Sequence, residues 1–222
     1  GPPRKCRMRF LPTVVFALCA AGTIPGAVLS AQDIANPLPT RVSAASRDSL
    51  MPAFARAVLA QYRGPDPDTH LNTLFRLQTV AGDQRAALST LAQLRQMRAA
   101  RDSVYAPAEY SQYELYARAR LRRTKATDAE FARDARTEFA AMDARLSDRV
   151  ALRVAGSFDY DLPFGKVQLD RALAPVANRP TIPVGEAATI VRLYHAYTAY
   201  RALMPVAPSL VRASELRRYT VD

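Results

Sequence analysis

From position 51 the apolar residues recur at a helical spacing. Met51, Phe54, Ala55, Val58, Leu59 and Tyr62 fall at i, i+3, i+4, i+7, i+8 and i+11, the positions that share one face of an α-helix. Ser49 is the candidate N-cap, and Gly64-Pro65 ends the pattern. A second helix is expected over 68–81, with Leu71, Leu74, Phe75 and Leu77 inward. Gly82-Asp83 breaks it, and Ala86, Ala87, Leu88, Leu91 and Leu94 carry the next to about 100. Pro107 opens a helix bearing Tyr110, Tyr113, Tyr116, Ala117 and Leu121. Thr127 and Glu130 form a capping box, followed by Phe131, Ala135, Phe139, Met142 and Leu146 on one face. Ser147-Asp148 caps a helix with Val150, Val154 and Phe158 inward, and 159–165 reads as a turn. A helix over 164–176 and a loop through Pro180 and Pro183 lead to the longest apolar segment, 184–204, which Pro205 and Pro208 end or kink.

Two helices joined by a short turn can cover each other's apolar faces, which is the helical hairpin. No strand-like alternation longer than four residues precedes Tyr219. The expected fold is therefore all-α, an irregular stack of antiparallel helical hairpins. Residues 74–94 resemble the middle of a tetratricopeptide repeat. The hairpin at 108–145 does not keep the glycine and alanine positions of 74–94, so a regular array of roughly 34-residue repeats is not expected.

The N-terminus reads as an address. Arg4, Lys5, Arg7 and Arg9 precede a run from 10 to 32 without charge, and small residues follow at Ser30 and Ala31. Those are the three parts of a secretory signal peptide, with cleavage after Ser30 or Ala31 and Met8 a plausible start. The alternative is an uncleaved anchor, against which Pro12, Gly22, Pro25 and Gly26 count as breaks in a spanning helix. The domains are then a signal peptide helix at 1–31, a flexible leader at 32–48, a helical domain at 49–215 and the start of a strand at 216–222. The protein is expected to be exported, periplasmic or extracellular, touching a membrane only through the signal segment.

Charge and cysteine change meaning on that division. The formal net charge is +11, and 28 of the 31 cations are Arg. Removing the signal takes four cations and no acid, leaving +7. With abundant Ala alongside, the Arg excess reads as codon bias, and export argues against a nucleic-acid partner. Both cysteines, Cys6 and Cys19, fall in the signal segment, so the exported domain has neither disulfide nor thiolate ligand.

No catalytic constellation is legible. Gly156-Ser157-Phe158 lacks the second glycine of a nucleophile elbow. His70 and His195 are far apart, and surface and packing roles fit them better than chemistry. Asp159 and Asp161 flank a tyrosine in a turn. No metal-binding motif or phosphate-cradling glycine cluster occurs, so no metal or cofactor is expected. Arg118, Arg120, Arg122, Arg123 and Lys125 read as a solvated helix end favoured by the macrodipole. Tyr194, Tyr197 and Tyr200 share one broad face, either core or a candidate docking face for another domain.

The strings DTHLNTLFRLQTVAGD at 68–83, YELYAR at 113–118 and RRYTVD at 217–222 together resemble the N-terminal helical region of secreted cocaine-esterase-like, X-prolyl dipeptidyl peptidase-type serine α/β-hydrolases. The resemblance spans residues 50–222 and stops where the catalytic domain of that family starts. It implies a non-catalytic accessory role: packing on a C-terminal hydrolase domain in cis, shielding its active site or mediating oligomer contacts. The family's catalytic Ser, Asp and His have no counterpart here. The other reading of the residues is a free-standing periplasmic module that binds a protein or peptide through helical hairpins.

Overall fold

The computed structural model describes residues 33–38, 43–104, 106–123, 126–145 and 165–210. The signal segment with Ser30 and Ala31, the helix expected after Ser147, the acid pair at Asp159 and Asp161, Lys125 and the strand expected at 216–222 lie outside the described residues.

The described part is mostly helical. Strand β1 (Asp33–Ala35) is followed by α1 (Ala44–Gln61), α2 (Pro67–Ala81), α3 (Gln84–Ala99), a 3₁₀ turn (Ala106–Ala108), α4 (Ser111–Arg122) and α5 (Asp128–Asp143). Next come α6 (Gly165–Leu173), a second 3₁₀ turn (Ala174–Val176), β2 (Thr181–Pro183) and α7 (Val184–Leu203).

The helix ends are set by local chemistry. Ser43, Asp66 and Asp83 each accept an amide of the first turn of α1, α2 and α3, satisfying donors that a helix leaves open. Thr127 and Glu130 complete the expected capping box on α5. Gly82 ends α2 at φ 95°, a left-handed conformation that glycine adopts without Cβ strain.

Several expectations are corrected. The protein is not purely α, because β1 pairs antiparallel with β2, Ile34 opposite Ile182. This ladder falls partly within the stretch read as a flexible leader. Asn36 fixes it there, its amide donating to the carbonyls of Val176 and Arg179 while its side-chain oxygen accepts from Leu38 N. Helix α1 starts at Ala44, a turn before Ser49, and carries Pro52 inside it. Pro107 lies in a 3₁₀ turn, and α4 begins only after Tyr110, whose left-handed backbone interrupts the helix. Leu121, grouped with the apolar residues of that helix, is exposed, and Leu115 and Ala119 are in the core.

Helix α7 organises the packing, meeting α1, α2, α4, α5, α6 and both strands. Its first half, through Ala187, Ile190, Val191 and Tyr194, joins a core with Met51, Phe54, Val58, Ile34 and Ile182. Ala199 joins Phe75, Leu91, Leu94 and Tyr113. Leu203 joins Leu115, Phe131, Phe139 and Met142. A helix that contributes to three cores must be apolar around most of its circumference, which is why 184–204 is the longest apolar segment.

Candidate functional site

Where α2, α4 and α7 meet, aromatic rings and arginines interleave. On α2, Asn72, Phe75 and Arg76 stand three and four residues apart, on one face. The start of α4 brings Tyr110, Tyr113 and Tyr116. From α7 come Arg192 and His195, one turn apart. Tyr113 lies 4.9 Å from His195 between ring centroids, Tyr116 lies 5.8 Å from it, and Phe75 meets it edge-on at 6.0 Å. Phe75 also packs on Tyr110 at 5.5 Å. These separations and tilts suit aromatic quadrupoles. The Arg76 guanidinium sits 4.4 Å from the Tyr113 ring centre and 5.3 Å from those of Phe75 and Tyr110, within cation–π range.

Tyr110 is held in a strained conformation. Its φ is 60°, and it is the only non-glycine with positive φ among the described residues. That costs about 1–2 kcal/mol for an L-residue. Its hydroxyl accepts from Asn72 Nδ2 at 2.9 Å and Arg98 Nη1 at 3.1 Å, and these bonds, with the ring packing, hold the backbone there.

Most charges around the centre are matched. Arg98 pairs with Asp68 and Glu109, and the Asp68 carboxyl is held below its ordinary range by the Arg98 hydrogen bond. Arg95 donates to Glu114 and to the Glu109 carbonyl, while Arg118 reaches the other Glu114 oxygen. Burial favours protonation of Glu114, but the two arginines outweigh it and keep its pKa low.

Three groups are not matched. Arg76 Nε donates to Asn72 Oδ1 at 3.1 Å, and among the described residues no acid pairs with it. Arg192 Nε is buried without a hydrogen-bond partner. Burial first, and the Arg76 charge second, disfavour the cationic form of Arg192. His195 is fully buried, and neither ring nitrogen has a partner. Burial, reinforced by Arg76, pushes its pKa well below the usual histidine range, so the ring is neutral.

A general base needs a hydroxyl, thiol or water within hydrogen-bond reach, and no described side chain takes that position at His195. Its surroundings are rings and a cation, a packing role of the kind its neighbouring tyrosines implied. His70, in the first turn of α2, accepts from Gly64 N at 3.0 Å and stacks flat on Tyr62. No group of three His, Cys, Asp or Glu among the described residues is placed to hold a metal ion. No described helix is long and apolar enough to cross a membrane.

Of the tyrosines singled out on α7, Tyr194 is buried and donates to Asp48 Oδ1 at 2.8 Å. Burial, then that bond, raises its pKa. Tyr197 and Tyr200 are half-buried, against the first and second cores respectively, and Arg201 lies over the Tyr197 ring. The basic stretch at the end of α4 is solvated at Arg122 and Arg123, as expected, and it is also paired. Arg122 reaches Glu138, Arg123 reaches Glu130 and Asp134, and Arg120 stacks over Tyr116 and Phe131. These contacts fasten α4 to α5.

Sequence reasoning passed over Arg76 and Arg192. Both carry a local signal: Arg76 stands between Phe75 and Leu77 in an inward run, and Arg192 stands inside the apolar 184–204 segment. Comparison of the chain with family models, curated proteins and solved structures finds no match in any of the three.

Proposed function

We propose that the helical domain is a non-catalytic recognition module that meets a polypeptide partner. One observation supports this most. The strings at 68–83 and 113–118, which carry the resemblance to the hydrolase accessory region, supply Asn72, Phe75, Arg76 and Tyr113 to a single centre. On the reading that the resemblance implies, the partner is an exported X-prolyl dipeptidyl peptidase- or esterase-type α/β-hydrolase domain in cis. The helices then pack on it or shield its active site.

A second reading is a free-standing periplasmic, tetratricopeptide-like module for a peptide or protein. It is favoured by the scatter of large apolar side chains that remain exposed among the described residues. Val104, Leu121, Val167 and Met204 lie on four separate segments, whereas a face made for a whole domain calls for a contiguous apolar patch.

Reading the gene beyond the Asp222 codon separates the two. Several hundred further codons containing G-x-S-x-G support the hydrolase partner, and a stop codon directly after Asp222 contradicts it. Both readings require that purified residues 32–222 turn over no ester or X-prolyl substrate. Turnover that persists in material from a host lacking its own hydrolases would contradict both.

A further inference from the structure

Every arginine around the α2–α4–α7 junction that reaches an acid is already committed to it: Arg95 and Arg118 to Glu114, Arg98 to Asp68 and Glu109. Arg76 and Arg192 stand apart from this pattern. Arg76 is nine-tenths buried, and its one side-chain hydrogen bond among the described residues goes to the neutral amide of Asn72. Arg192 is half-buried with a buried Nε that has no partner. Two cations at one helix junction, neither paired with an acid among the described residues, raise the energy of the folded chain, and low-dielectric surroundings magnify the effect. The same surroundings strengthen the binding of an anion.

We propose that Arg76 and Arg192 form a binding site for a carboxylate carried beside an apolar or aromatic group, a site that rests on the reading of the domain as a polypeptide-recognition module. The Arg76 guanidinium lies over the Tyr113 ring, and its N–H edge meets no acid among the described residues. Carboxylate geometry matches that edge with two parallel hydrogen bonds. Arg192 supplies the second cation from one turn before His195. Neutral His195, sealed among Phe75, Tyr113 and Tyr116, closes the back of the site without adding charge. The rings of Tyr110 and Tyr113, against which Arg76 lies, offer the apolar contact that a hydrophobic residue next to the carboxylate would use. In a polypeptide, that carboxylate is a chain terminus or an acidic side chain, and both present the same group to the two guanidinia.

Thermal unfolding of the purified 32–222 chain tests the site with defined probes. N-acetylphenylalanine stands for a chain terminus, N-acetyl-aspartyl-phenylalaninamide for a side-chain carboxylate, and N-acetylphenylalaninamide is the uncharged control. Supporting results are a saturable rise in Tm with either acid, about 3–6 °C at ten times the dissociation constant, and none with the amide. That rise should disappear in both Arg76→Gln and Arg192→Gln. Without any probe, Arg192→Gln should melt above the wild type, because the unmatched charge is gone. An equal response to the acids and the amide, an equal response to inorganic phosphate, or no response to any acid would each overturn the carboxylate site. None of those outcomes touches the recognition reading itself, which stands or falls on binding of longer peptides.

Discussion

His195 makes the stability of the fold depend on pH below neutrality. The ring is fully buried with both nitrogens unpartnered, and burial holds its pKa well below the ordinary range. In the unfolded chain a histidine binds its proton near pH 6.5. Between that value and the lower folded pKa, the unfolded state therefore holds more protons than the folded one. Stability rises with pH across this interval and is lost as pH falls through about 6.5, at about 1.4 kcal/mol per unit. The loss accumulates over the whole interval between the two pKa values. Carboxylates such as Asp68 and Glu114, whose folded pKa values are lowered, lose their contribution only near pH 4 and below. His195→Phe keeps an aromatic ring among Phe75, Tyr113 and Tyr116 and removes two unsatisfied nitrogens. It should stabilise the fold by about 1–3 kcal/mol at pH 8 and abolish the loss between pH 8 and pH 5. Urea unfolding followed by far-UV circular dichroism at pH 8, 6.5 and 5 measures both effects, and His70, present in each protein, cancels in the difference. Equal pH dependence in wild type and variant would refute the sealed, neutral histidine.

Two glycine substitutions should separate backbone preference from steric contact. At Gly82 a Cβ meets nothing within 4 Å, so Gly82→Ala should cost about 1 kcal/mol from the positive φ alone. At Gly64 a Cβ would lie 2.5 Å from the His70 backbone, so Gly64→Ala must displace the start of α2 and should cost more in the same denaturation assay. Arg95 bridges the nearly buried Glu114 and the Glu109 carbonyl. Arg95→Met should cost about 3 kcal/mol by leaving that carboxylate with Arg118 alone, and Glu114→Gln in the Arg95→Met background should restore part of the loss.

The helices were legible wherever a cap and a 3.6-residue period coincide. Asp66, Asp83 and Thr127 cap α2, α3 and α5 within a residue or two of the starts that the periodicity predicts. Strands β1 and β2 escaped because three residues cannot display an alternation, and the pairing of Ile34 with Ile182 joins distant parts of the chain. The start of α4 was misplaced because Tyr110 takes a left-handed backbone that only tertiary bonds from Asn72 and Arg98 support. The tyrosines at 110, 113 and 116 stood out in the sequence on one expected helix. What they face did not, because whether an arginine is matched depends on acids brought from other helices. Glu114 takes both Arg95 and Arg118, and Arg76 is left with an amide.

On the proposed function, the junction of α2, α4 and α7 recognises a polypeptide. The most direct measurement is an amide-proton chemical-shift map of the isotope-labelled 32–222 chain, titrated with a peptide selected from a random library for binding to it. The expected result is saturable shifts concentrated at residues 72–76, 110–113 and 192–195. Shifts centred elsewhere on the fold, or a library that yields no peptide binding saturably, would contradict it.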